Sequence, residues 1–222
     1  MNLVVTNLLT AVKDPSRRRR WKNDPSLFAA LRESVAAHGQ RLIVLHDCLD
    51  VEPDKTTSFV RTPPGGNPYF ARWRNIAMLL RRYGKVADLV WCVDATDVVM
   101  LHDPFPHMQP GAVYSGSEPR SVCGDTEHHE WLYTNHPSRI GFYESHPELL
   151  FMNPGILGGS AVDVLAACDA LGAEPDVEMT DMGAWQQIAY DLFGDRIVTG
   201  HPVHTEYRAL DHTNPEAWWA HK

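Results

Sequence analysis

One apolar segment of the chain runs into two carboxylates and then becomes apolar again. Residues 89–93 are Leu-Val-Trp-Cys-Val, Asp94 and Asp97 follow, and residues 98–101 are Val-Val-Met-Leu. Aspartate is disfavoured inside strands, and burying two carboxylates without compensation costs several kcal/mol. A divalent cation compensates them directly, and carboxylate oxygens suit Mg²⁺ or Mn²⁺. We therefore predict a metal site here; the alternative is that one aspartate caps a turn and the other pairs with an arginine.

The first hundred residues alternate between strand and helix patterns. This order predicts an α/β fold with a mostly parallel central sheet, helices on both faces and a small antiparallel part. Ligands of such sheets bind beyond the carboxyl ends of the strands. The predicted strands cover residues 3–9, 41–46, 87–93, 98–101, 112–115 and 196–199, with a turn-rich strand region at 153–160. The predicted helices cover residues 27–38, 69–83, 162–171 and 181–192.

The remaining stretches lack a clear period. Residues 13–26 are predicted to be a long loop, residues 116–147 show no pattern, and the tail from Asp211 is predicted to be irregular. Because no clean linker is visible, the prediction is one domain over residues 1–222, with halves at 1–115 and 116–222.

Composition narrows the classes of function. The formal net charge of −8 argues against a general nucleic-acid binder, although local basic clusters could still bind anions. The four cysteines form no CxxC motif, which favours a reducing compartment. No run approaches the roughly 18 apolar residues of a membrane span, and the N-terminus is typical of a first strand rather than a signal peptide. A cytoplasmic location is expected.

The segment from Asp94 to Leu101 resembles the DxD or DxxD motif of GT-A nucleotide-sugar glycosyltransferases. It is most similar to the form found in procollagen lysine glycosyltransferase domains. The resemblance implies a GT-A, Rossmann-like fold and metal-dependent transfer of a hexose from a nucleoside-diphosphate sugar, with a UDP-sugar favoured. It also implies that Asp94, with its neighbour Ala95, contacts ribose and metal, and that Asp97 binds the Mn²⁺ or Mg²⁺ ion.

Residues 153–160 resemble the Asn-x-Gly-x-x-Gly segment of the same enzymes. The resemblance implies a donor-facing turn in which Asn153 has a catalytic role and the glycines contact the donor. Pro154 stands where the family often has serine or alanine. The alternative is a glycine-rich turn before a helix. The glycines in question are Gly155, Gly158 and Gly159.

Residues 181–187 resemble the segment that opens the next helix in these families. There the resemblance implies that Asp181 and Gln186 contact the donor sugar or the acceptor, although Asp181 could be a plain helix cap. Many GT-A enzymes complete the metal site with a C-terminal histidine. Its spacing after a predicted strand favours His201, with His204 as the alternative.

Two further contacts with the nucleotide are implied by the same resemblance. Arg74 with Asn75, on the helix before the aspartates, is expected to meet the nucleotide, and Val5 with Thr6 is expected to line the base pocket. The arginines at residues 17–20 are open to three interpretations: contact with the diphosphate, contact with an anionic acceptor such as DNA, or an exposed loop.

A histidine-rich stretch from 123 to 146 has no established metal-binding spacing, so zinc is disfavoured. We expect an acceptor-binding loop there, with Trp131 and Tyr133 as sugar platforms. The acceptor itself is open between a glycan, a protein and a modified nucleic acid. The carboxylates that could deprotonate its hydroxyl are Glu118, Asp125 and Glu130.

Two other functions remain open. A nucleotidyltransferase also uses paired aspartates, but it should carry a glycine-rich basic signature after the first strand, where this chain has Thr-Asn-Leu-Leu. A non-catalytic sugar-binding or partner-binding module on the same fold would keep the architecture without the reaction.

Overall fold

The computed structural model describes residues 1–63, 65–83, 87–124, 126–175, 180–205 and 216–221, without the side chains of residues 126–128. The strands are β1 (Asn2–Leu8), β2 (Lys13–Asp14), β3 (Arg19–Arg20), β4 (Leu42–His46), β5 (Thr57–Arg61), β6 (Leu89–Val93), β7 (Val98–Met100), β8 (Val113–Ser121), β9 (Leu150–Ser160), β10 (Ile197–Val198) and β11 (Trp219–His221). The α-helices are α1 (Ala29–Ala37), α2 (Pro68–Tyr83), α3 (Thr126–Asn135), α4 (Ile140–Ser145), α5 (Ala161–Ala173) and α6 (Met182–Phe193).

A seven-stranded sheet forms the centre, in the order β10-β8-β9-β6-β1-β4-β5. Strand β9 runs antiparallel to both neighbours, and the other pairings are parallel. The predicted α/β class with a mostly parallel sheet is confirmed. Both predicted halves of the chain supply strands to this one sheet.

Two apolar clusters cover the faces of the sheet. Helices α2, α5 and α6 pack on one face, and α1 with the two C-terminal tryptophans packs on the other. Strand β6 is apolar throughout because both of its faces are buried, as is typical of strands in parallel sheets. Its Cys92 points into the first cluster, and its Trp91 points into the second, against Tyr114 and Trp219.

Several predicted irregular regions contain regular structure. Strands β2 and β3 form a short hairpin inside the predicted 13–26 loop. Helices α3 and α4 lie within the stretch where no period was visible, and they enclose a small cluster of Val122, Leu132, Tyr143 and Phe151. The turn-rich strand region predicted at 153–160 belongs to the long strand β9.

The tail is the largest departure from the prediction. Strand β11 pairs antiparallel with β7, so that Trp219 lies opposite Met100 and His221 lies opposite Val98. Trp219 is fully buried and Trp218 nearly so, and burying such large side chains accounts for the anchoring of the segment. Among the described residues, no helix combines the length and apolar character needed to span a bilayer.

Candidate metal and nucleotide site

Three side chains from two segments of the chain converge at the carboxyl end of β6. The ligand atoms of Asp94, Asp97 and His221 all lie within 4.8 Å of one another. The two aspartates flank the turn between β6 and β7, and His221 arrives on β11 next to Val98. The pairing of the tail with β7 thus brings an imidazole to the carboxylates.

This donor set suits a divalent cation. Within the described residues, Asp97 Oδ1 is buried without a hydrogen-bond partner, an arrangement that is costly unless a cation or donor faces it. Burial, followed by the neighbouring Asp94 charge, raises the pKa of Asp97 to about 7. Burial lowers the pKa of His221 to about 4, so its imidazole is neutral at pH 7 and able to ligate. Two carboxylates and one imidazole are ligands that Mn²⁺ accepts.

Gly155 forms the wall behind these ligands. Its carbonyl oxygen accepts a hydrogen bond from the Asp94 amide at 2.8 Å. A Cβ at this position would stand 2.8 Å from Asp94 Oδ2 and 2.9 Å from His221 Cε1, so any larger residue would displace one of these side chains. Asn153 Oδ1 accepts the Gly155 N–H at 2.9 Å. Asn153 is therefore adjacent to the site and fixes the backbone of Gly155.

Arg72 links the metal group to helix α6. Its guanidinium contacts Asp94 and lies 2.7 Å from Asp181 Oδ2. The indole N–H of Trp73 also donates to Asp181. Burial raises the pKa of Asp181, and the Arg72 charge opposes that shift. Asp181 makes no capping bond through its side chain, so its carboxylate serves this buried ion pair and not the helix terminus.

A cleft opens over the aspartates. Its wall carries the β2–β3 hairpin, where the guanidinium of Arg17 lies 4.3 Å from the centre of the Trp21 ring. Ala95 is largely buried in its floor. Asn7 Oδ1 is a further buried acceptor without a hydrogen-bond partner among the described residues. The lining residues are Asn7, Leu8, Leu9, Asp14, Arg17, Trp21, Pro68, Tyr69, Arg72, Asp94, Ala95, Thr96 and Asp97.

The predicted nucleotide contacts near the first strand and on α2 lie elsewhere. Val5 and Thr6 are buried in the sheet, and Thr6 Oγ1 donates to the Val93 carbonyl at 2.7 Å; the cleft begins one residue later, at Asn7. Arg74 is exposed and donates to the Gly172 carbonyl at 3.3 Å. Asn75 is buried against Thr62. Residues two positions apart on a helix face different directions, and it is Arg72, not Arg74, that lines the cleft.

Gln186 is also outside the cleft. Its Oε1 accepts from the Met152 amide at 2.8 Å, and its Nε2 donates to the Met152 and Met182 carbonyls at 2.7 and 2.8 Å. These bonds engage both ends of the amide, and the side chain is fully buried. Gln186 satisfies backbone groups of β9 and α6 and does not line the cleft; its contact with donor or acceptor stays a prediction.

The two histidines predicted as third metal ligand do not reach the aspartates. His201 is half-exposed, and its Nε2 lies 3.9 Å from Glu216 in a separate cleft that also contains His38 and His102. His204 is buried, and its Nε2 accepts from the amides of Ser117 and Gly200. Its Nδ1 therefore carries the proton and donates to the Thr205 carbonyl. Both ring nitrogens of His204 are engaged, whereas the imidazole of His221 lies beside the two aspartates.

The other predicted residues fall into packing roles or outside the described structure. A Cβ on Gly158 would stand 2.4 Å from the Trp91 ring, whereas one on Gly159 would meet only ordinary contacts at 3.6 Å. Neither glycine lines the cleft. Glu118 pairs with Arg120 at 3.0 Å, Glu130 is exposed, and Asp125 lies outside the described residues.

The histidine-rich stretch packs with aromatic side chains. The ring centres of His129 and Tyr133 lie 4.0 Å apart. His146 stacks on Phe142, with 4.5 Å between the ring centres. Tyr133 donates to Glu144 at 3.1 Å, and Trp131 lies against the buried His136. Among the described side chains, the only group positioned to share a metal ion is Asp94, Asp97 and His221.

Comparison of this chain with protein-family models and with curated proteins finds no match. The interpretation of the site therefore rests on its own geometry.

Sequence reasoning missed Arg72 and His221. For His221 a signal was present, because the apolar Trp218-Trp219 pair preceding it is typical of a buried segment. For Arg72 the sequence offered four arginines on one helix, at positions 72, 74, 81 and 82. No local pattern distinguished the one that faces the cleft.

Proposed function

We propose that this chain is a metal-dependent glycosyltransferase that takes its sugar from a nucleoside-diphosphate donor. The observation that supports it best is the convergence of Asp94, Asp97 and His221 beneath a cleft that also presents Arg17 and Arg72. Carboxylates and an imidazole for a divalent cation, beside guanidinium groups for phosphate oxygens, match the chemistry of a diphosphate.

Each residue of the candidate site has a distinct role in the proposed transfer. Asp94, Asp97 and His221 would hold Mn²⁺ or Mg²⁺, which when bound supplies Lewis-acid stabilisation of the charge that develops on the leaving diphosphate. Arg72 orients the Asp94 carboxylate and adds positive charge to the cleft. Gly155 lets Asp94 and His221 lie close against the backbone of β9. Tyr69 and Trp21 supply aromatic surface at the cleft for the base.

The GT-A resemblance favours a UDP-sugar, and the acceptor class is taken up below. The proposal also assigns the chain to the cytoplasm, consistent with four free thiols. The alternatives of a nucleotidyltransferase and of a binding module differ from it in what happens after a nucleotide binds.

Calorimetry with UDP and with GDP, each with and without Mn²⁺, tests the proposal. We expect binding of one nucleotide that requires Mn²⁺ and is lost in Asp97→Asn, while circular dichroism shows that the variant stays folded. Absence of metal-dependent binding to either nucleotide contradicts the proposal. Slow hydrolysis of the matching sugar nucleotide then separates an enzyme from a binding module, and exchange of pyrophosphate would indicate a nucleotidyltransferase.

A further inference from the structure

The segment from Lys13 to Lys22 concentrates positive charge in a chain that is otherwise acidic. It reads Lys-Asp-Pro-Ser-Arg-Arg-Arg-Arg-Trp-Lys, so six of the 20 lysines and arginines of the chain lie within ten positions, while the net charge of the chain is −8. This basic hairpin, as we name residues 13–22, comprises β2, β3 and the two residues that follow.

One positive charge of the basic hairpin is paired locally, because Arg17 Nε lies 3.6 Å from Asp14 Oδ2, whereas, among the described residues, the charges of its outer arginines are not. Its single acid, Asp14, is buried, and its Oδ1 accepts from the Arg17 amide and the Tyr69 hydroxyl. Within the described part of the chain, Arg18, Arg19 and Arg20 are exposed and make no ion pair. A run of exposed like charges repels itself and attracts a polyanion.

The basic hairpin is also part of the candidate site. Asp14, Arg17 and Trp21 line the cleft above Asp94 and Asp97, whereas Arg18, Arg19 and Arg20 do not. A polymer held by the outer arginines would therefore pass beside the entrance of the cleft. The arrangement combines an exposed basic surface with a concave site that one residue of the polymer could enter.

We propose that the basic hairpin docks the phosphodiester backbone of a nucleic acid at the mouth of the cleft. Exposed arginines and lysines bind phosphates and release counterions, and this term dominates binding that is independent of sequence. An anionic membrane fits the geometry less well. A bilayer surface cannot enter a cleft, and the large apolar side chain of the segment, Trp21, is half-buried and covered by Arg17.

The role of the nucleic acid as acceptor rests on the proposed function. The binding of the nucleic acid to the basic hairpin does not. The two can therefore fail independently. The docking test omits metal and nucleotide, and the calorimetric test described above omits nucleic acid.

The experiment measures fluorescence anisotropy of a labelled mixed-sequence DNA oligonucleotide, as a single strand and as a duplex, over a series of KCl concentrations. The test variant is Arg18→Ala/Arg19→Ala/Arg20→Ala. The matched control, Arg41→Ala/Arg74→Ala/Arg82→Ala, removes the same charge from exposed positions outside the hairpin. We expect the test variant to bind at least ~10-fold more weakly and to lose about 2 to 3 units of the salt slope. The control variant should retain the salt slope of the wild type. The DNA form that binds more tightly, single strand or duplex, is the form that the basic hairpin prefers.

Three results would overturn the proposal. The first is no binding of either DNA form by the wild-type protein at low salt. The second is an equal loss of DNA affinity in the test and control variants, because binding would then depend on the total charge of the protein and not on the basic hairpin. The third is tighter binding to phosphatidylglycerol vesicles or polyglutamate than to DNA, lost in the same test variant. Mn²⁺-dependent UDP binding by the test variant, unchanged from the wild type, would show that the cleft is intact.

Discussion

The guanidinium of Arg72 lies 2.7 Å from the carboxylate of Asp181, which is 1% exposed, and it also contacts Asp94. One arginine therefore compensates a fully buried acid on α6 and orients a candidate metal ligand after β6. A buried ion pair of this kind adds little net stability, but breaking it leaves an uncompensated charge. Arg72 connects the stability of the fold to the geometry of the site.

Arg72→Ala should destabilise the protein by roughly 3–5 kcal/mol, because Asp181 loses its cation. Urea denaturation at pH 7 measures the change. Asp181→Asn in the same background should recover part of the loss, since a neutral amide needs no cation. The control is Arg74→Ala, an exposed neighbour on α2, for which we expect a change within about 0.5 kcal/mol. Equal losses in Arg72→Ala and Arg74→Ala would contradict the buried ion pair.

Asp97 should make folding stability and metal binding depend on pH in opposite directions. Its pKa rises from 3.8 to about 7 on folding, so the folded state retains a proton that the unfolded state releases. The contribution of Asp97 to the free energy of unfolding is therefore expected to be fully present below pH about 4 and to be lost as the pH rises through about 7. His221, whose pKa is lowered to about 4 on folding, contributes the opposite trend, so the Asp97 contribution is measured as the difference between the wild type and Asp97→Asn. Mn²⁺ displaces that proton, so its affinity should increase over the same range.

Urea denaturation and Mn²⁺ titration at several pH values measure both trends. The difference in the free energy of unfolding between the wild type and Asp97→Asn should fall as the pH rises from about 4 to 7, and Asp97→Asn should abolish Mn²⁺ binding. Asp191→Asn, at an exposed carboxylate of α6, is the control and should leave both unchanged. If the difference in the free energy of unfolding between the wild type and Asp97→Asn instead rises between pH 4 and 7, the pKa of Asp97 is not raised on folding.

Gly155→Ala should weaken metal-dependent nucleotide binding at least ~10-fold, a loss of about 1.4 kcal/mol. The added Cβ would meet Asp94 and His221 at under 3.0 Å. Gly159→Ala lies on the same strand and places its Cβ 3.6 Å from the nearest atom, so binding should be unchanged. Calorimetry with UDP and Mn²⁺ compares the two. Similar affinities in both variants would show that Gly155 does not limit access to the ligands.

His221→Ala should abolish Mn²⁺ binding, whereas His201→Ala should leave it intact. The reason is that the imidazole of His221 meets the two aspartates and that of His201 faces Glu216. Mn²⁺ titration followed by electron paramagnetic resonance distinguishes them. Loss of binding in His201→Ala alone would restore the histidine that the sequence predicted.

Gln186→Leu should cost about 1–3 kcal/mol of stability, because the Met152 amide loses a buried acceptor. Mn²⁺-dependent nucleotide binding should remain once the variant is measured below its unfolding temperature. Thermal unfolding and calorimetry measure the two effects. Unchanged stability with lost nucleotide binding would instead assign Gln186 to the donor site.

The sequence by itself determined the sheet and the aspartates. The apolar runs that became β1, β4 and β6 are local patterns, and so is the break of the third run at Asp94 and Asp97. Two carboxylates at the end of a buried strand require compensation wherever the rest of the chain goes. That physical requirement is why a compensating group beside the two aspartates could be predicted without coordinates.

Only the tertiary structure decided which distant groups complete the site. His221 reaches the aspartates because two buried tryptophans hold the tail on β7, and the pairing register places it opposite Val98. Arg72 faces the cleft, and Arg74 does not, because the packing of α2 on the sheet fixes the rotation of the helix. These choices depend on long-range packing energies, and a short sequence motif does not contain them.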